Sequence, residues 1–72
     1  MQQQVAPMQP DLTLAAQRRL IEATREACIQ AALEGYENAA LSGLCREGAW
    51  ESAISAIRML TVDDILSRLG SP

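Results

Sequence analysis

The chain has 72 residues, a net charge of -3, two cysteines and no histidine. That is one domain at most, with too little interior to be robust alone, so a disulfide framework, a metal or a partner is the usual source of extra stability. Two cysteines allow a single bridge and show no secreted-type spacing; without His or a C-x-x-C pair, a metal centre is not expected. The remaining source is self-association or a larger partner.

Residues 1–10 carry four Gln and two Pro without periodicity and read as a disordered N-terminal tail. They lack the basic and apolar regions of a secretory signal, and no apolar run is long enough to span a membrane. A cytoplasmic protein with reduced thiols is the expectation, with no membrane partner.

Residues 11–70 read as a single all-α domain. The first helix is expected over about residues 12 to 46, capped by Asp11 or Thr13 after Pro10. Leu20, Ile21, Thr24, Ala27, Cys28, Ala31, Ala32, Gly35 and Ala39 share one helical face. Within it Ala27, Ala31, Gly35 and Ala39 recur every fourth residue, small enough to admit another backbone closely. From Cys28 onward a second stripe adds Ile29, Leu33, Tyr36, Ala40 and Leu44. A helix apolar on two sides must be covered twice, and so short a chain has few elements for that. Ala27, Ile29, Ala31, Leu33, Gly35, Tyr36, Ala39 and Ala40 are therefore the candidate interface. On the polar side, Glu22 can pair with Arg18 and Arg25.

A second helix is expected over about residues 49 to 60, its apolar face made by Trp50, Ala53, Ile54, Ile57 and Leu60. Gly48 is placed as a left-handed turn residue before it, with Trp50, Ile54 and Ile57 as core and Trp50 as the largest anchor. A short third helix, about residues 62 to 69, follows Thr61 as N-cap, with Asp63 and Asp64 in its first turn and Gly70 as its left-handed stop. Residues 71–72 are a C-terminal tail.

Chemistry is poorly provided for. Cys45 lies beside Arg46, but no His or Lys is present to act as its base. Cys28 sits on the apolar face. Glu34 with Glu37, and Glu47 with Glu51, share faces as solvated side chains do. Phosphate-binding glycine loops are absent. An enzyme is not expected, and neither is a cofactor. Nucleic acid is an unfavoured partner, because the only basic patch, Arg18, Arg19 and Arg25, is interrupted by Glu22 and Glu26.

The stretch Gly43, Leu44, Cys45, Gly48, Ala53 resembles the G-L-C-x-x-G-x-x-x-x-A junction of pentatricopeptide repeats, and Gly48, Trp50, Ala53 resembles the small-aromatic-Ala spacing of tetratricopeptide repeats. Those families imply RNA binding and peptide binding respectively. The resemblance covers about 20 residues with no second copy upstream, whereas a solenoid needs about three repeats. What it implies here is an αα-hairpin with its turn at Glu47 and Gly48.

The functional expectation is a small non-enzymatic helical protein–protein interaction subunit, regulatory or accessory. It would be homodimeric or docked on a larger protein. The alternative is a nucleic-acid-associated small regulator of the antitoxin kind.

Overall fold

The computed structural model describes residues 13–70, so the N-terminal and C-terminal tails of the sequence reading lie outside the described residues. Three helices follow in chain order: α1 (Leu14–Leu41), α2 (Arg46–Arg58) and α3 (Val62–Gly70). No strand occurs among the described residues, and the all-α, three-helix reading holds.

Thr13 caps α1, its hydroxyl accepting from the Ala16 amide at 3.1 Å. Neither Gly nor Pro interrupts the first two-thirds of the helix. An exposed Glu22–Arg25 ion pair at 2.7 Å contributes a few tenths of a kcal/mol at most.

The helix ends at Leu41, five residues earlier than the sequence pattern suggests. The Leu44 amide donates to the Ala39 carbonyl at 3.0 Å and the Gly43 amide to Ala40 at 3.0 Å. This double closure needs a left-handed residue between the two donors' turns. Gly43 supplies it, with φ 93°, the sole positive φ among the described residues. The turn is therefore at Ser42 to Cys45 and not at Glu47 and Gly48. Gly48 lies inside α2, and Gly70 ends α3 without a left-handed conformation.

The two glycines give opposite expectations. A Cβ on Gly48 meets only the side chain of exposed Leu44, its Cδ2 at 3.2 Å and its Cβ at an ordinary 3.4 Å. Gly48→Ala is expected to raise stability by up to about 1 kcal/mol through helix propensity. Gly43→Ala faces open space but an unfavourable φ, and is expected to lower it by roughly 1–2 kcal/mol. Thermal unfolding of the two variants measures both signs.

α2 runs back along α1, and the contact is made by small residues. The buried positions among the described residues are Ala27, Ala39, Ala49 and Ala53. A Cβ built on Gly35 would lie 2.9 Å from Ala56 Cβ and 3.0 Å from the Ser52 carbonyl oxygen. The helix backbones meet here with no room for a methyl group. Such an approach excludes a large side chain from the contact centre. The α2 face is accordingly rotated from the one expected. It centres on Ala49, Ala53 and Ala56, with Ile54, Ile57 and Leu60 half-buried beside them. Trp50 is 62% exposed, so it is not a core anchor.

α3 packs on α1 and not on α2. Ile65 and Leu69 are half-buried, and Arg68 donates to Gln30 at 2.9 Å. Thr61 and Asp64 form a reciprocal cap: the Thr61 amide donates to the Asp64 carboxylate, and the Asp64 amide to the Thr61 hydroxyl, both at 3.0 Å. The Thr61 amide bond holds the Asp64 carboxyl below its ordinary 3.8, helped by the Thr61 hydroxyl and, more weakly, by Arg68. A carboxyl depressed on folding adds stability that is complete above its unfolded pKa and lost as pH falls through its folded one. The α3 cap is thus expected to weaken below about pH 4. The protection of the residue 62–70 amides, measured against their intrinsic exchange at each pH, should fall there, and Asp64→Asn should remove that acid dependence.

Candidate functional site

Packing two helices through small residues has a consequence for the larger ones. Among the described residues no large side chain is fully buried. The apolar bulk of the hairpin lies outside its contact, and much of it is gathered on one flank.

On α1, Ile29, Leu33, Tyr36 and Ala40 follow one another at spacings of four, three and four, so they line one side of the helix. Ile29 is 48% exposed, Leu33 60% and Tyr36 37%. Tyr36 lies on the flank of α1 where Trp50 stands on α2. Together with Arg46 and Glu47 they line an open groove of about 340 Å³. Trp50 also borders a neighbouring groove of about 450 Å³ with Glu51, Ile54, Ser55 and Arg58. Trp50 is a wall between two shallow depressions, with its ring in solvent.

The structure therefore divides the sequence-derived interface residues into two groups. Ala27 and Ala39 are buried within the chain, and Ala31 and Gly35 are half-buried there. Ile29, Leu33, Tyr36 and Ala40 remain exposed. Leu44, expected to continue their stripe, leaves it where α1 ends. It instead lines a groove of about 410 Å³ with Gly48, Ser52, Ala56 and Met59. On the α2 wheel those residues sit nearly opposite Trp50.

Trp50 is the member of the exposed face that sequence reasoning misplaced. A usable signal is present: Ala49, Ala53 and Ala56, small residues at spacings of four and three, match the small stripe of α1. A small stripe facing a small stripe implies close packing, and Trp50 is then displaced to the flank.

Rims of the face are charged. Arg46 and Glu47 border the Tyr36–Trp50 groove, and Glu22 and Arg25 lie one to two turns before Ile29. Arg25 Nη2 donates to both carboxylate oxygens of Glu22, at 2.7 and 2.9 Å. The arrangement suits contact with another protein: apolar and aromatic at its centre, polar at its edge.

Cys45 is exposed at the N-cap of α2, with no side-chain capping bond, and Cys28 is half-buried in α1. Both are free thiols. No three His, Cys, Asp or Glu side chains gather as a metal-binding group among the described residues. No helix among them is long and apolar enough to cross a membrane. Comparison with protein-family models, curated proteins and solved structures finds no match for the chain.

Proposed function

We propose that this chain is a small, non-enzymatic helical subunit whose work is to bind another protein, in a regulatory or accessory capacity. Its docking face is formed by Ile29, Leu33 and Tyr36 of α1 with Trp50 of α2. The observation that carries this reading is the inversion of size across the hairpin. Alanines and a glycine fill the contact, while Trp50 and Leu33 are 62% and 60% exposed on one flank. Burying an apolar side chain is favourable by roughly 1.5–3 kcal/mol. A chain that leaves its sole Trp and a row of aliphatic residues beside it in water has that free energy available for a partner. Aromatic residues at such a centre are the common anchors of interfaces. The net charge of -3 favours a protein over nucleic acid as that partner, and two free thiols suit a reducing, cytoplasmic setting.

A photo-reactive amino acid placed at Leu33 tests the reading in cells. Covalent protein adducts are expected from Leu33 and not from Ile21, which is exposed but lies about 120° round α1 and about three turns before it. Equal labelling from both positions, or none from Leu33, contradicts a dedicated docking face.

A further inference from the structure

We propose that the occupant of this face is a second copy of the chain, seated antiparallel on α1 about a two-fold axis beside Leu33; this rests on the docking reading above. The stripe is self-complementary. Its spacing of four, three and four is that of a helix-on-helix seam. When α1 is reversed about Leu33, that residue meets its own copy and Ile29 meets Tyr36 of the second copy, each contact made twice as a two-fold requires. Trp50, beside Tyr36, then covers the second copy's α1 near its Ile29.

Charge selects the antiparallel sense. Residues 14–27 of α1 hold three Arg and two Glu, a net +1. Residues 28–41 hold Glu34 and Glu37 and no basic residue, a net -2. Reversal about Leu33 overlaps residues 25–41 of the two copies and offsets Arg25 and Glu37 from their own copies, whereas a parallel pair sets Arg25 level with Arg25 and Glu37 level with Glu37. It also places Arg25 about one helical turn from Glu37 of the second copy. The exposed Glu22–Arg25 pair within the chain is weak enough to exchange.

Area is in the range a dimer needs. Trp50, Leu33, Ile29 and Tyr36, exposed at 62, 60, 48 and 37%, offer on the order of 400–500 Å² per copy. Two copies then bury roughly 900 Å² from these side chains alone, and the rim of Ala40, Arg25 and Glu37 brings the total near the ~1,200 Å² at which specific interfaces begin.

Sedimentation of the full chain with reductant present, from micromolar to near-millimolar concentration, tests this. A reversible dimer is expected. Leu33→Glu should raise its dissociation constant at least about 100-fold, with far-UV circular dichroism unchanged. In a Cys28→Ala, Cys45→Ser background, Leu33→Cys should cross-link to itself on oxidation, and Ile21→Cys should not. The cross-link decides the matter even if Leu33→Glu misfolds. A chain that stays monomeric throughout, a dimer indifferent to Leu33→Glu, or the absence of a Leu33→Cys cross-link overturns the proposal. If the chain is monomeric but the Leu33 photo-probe still captures another protein, the second copy is excluded and the docking face stands. A monomer with no photo-adduct removes both.

Discussion

Gly35→Val is expected to lose about 3 kcal/mol of stability and to separate α2 from α1. The first added carbon alone would sit 2.9 Å from Ala56 Cβ, 3.0 Å from the Ser52 carbonyl oxygen and 3.3 Å from Ala53 Cα. Two of those three neighbours are backbone and the third is a Cβ, so none can rotate away. Valine then adds two further methyl groups in the same space. Gly35→Ala is the informative intermediate. It gains up to about 1 kcal/mol in helix propensity and meets the same first clash, so a smaller net loss is expected. A domain of this size holds only about 3–9 kcal/mol in total. The valine variant should therefore show a broad, low transition in urea by circular dichroism, while wild type unfolds cooperatively. Equal or raised stability in both variants would mean that the helices do not approach at Gly35.

Ala27→Asp is expected to cost about 3 kcal/mol or more, whereas Leu33→Asp should cost the folded monomer less than about 1 kcal/mol. Ala27 is fully buried, and an aspartate there would place an unpaired charge away from water. Leu33 is 60% exposed, so a charge at its position remains solvated. Composition alone suggests the opposite order, since leucine is the stronger hydrophobe. The inverted order follows from close packing: in this hairpin, burial follows small size. Urea unfolding of both variants, in dilute solution where association is suppressed, measures the difference.

The three helices were legible because their signals are local. Thr61 with Asp63 and Asp64 marked the start of α3, and its reciprocal cap is present in the structure. The α1 face was legible too: Leu20, Thr24, Ala27, Cys28, Ala31, Ala32, Gly35 and Ala39 are all at least half-buried, with Ile21, 66% exposed, as the exception. Periodicity identifies the residues of a face but not how closely the next helix will approach it. That distance depends on Gly35 meeting Ser52, Ala53 and Ala56, residues far from it in sequence. This is why Trp50, apolar and at helical spacing, reads as core from the sequence.

The turn was misplaced for a related reason. Gly43 and Gly48 both follow a helical pattern, and either can stop a helix. The choice is made by Leu44, whose amide reaches back to Ala39 and closes the motif around Gly43. The exposed stripe of Ile29, Leu33 and Tyr36 is legible in the sequence as a second face needing cover. Trp50 joins it only once the hairpin has formed.

Collisional quenching of the sole tryptophan by acrylamide, across a dilution series of the full chain, tests the central arrangement most directly. In dilute solution Trp50 should be quenched nearly as fast as a free indole, because its ring stands outside the α1–α2 contact. Shielding should grow as concentration rises and the face is covered. A Trp50 strongly shielded at every dilution would place it in the core and contradict the small-residue hairpin on which the docking face depends.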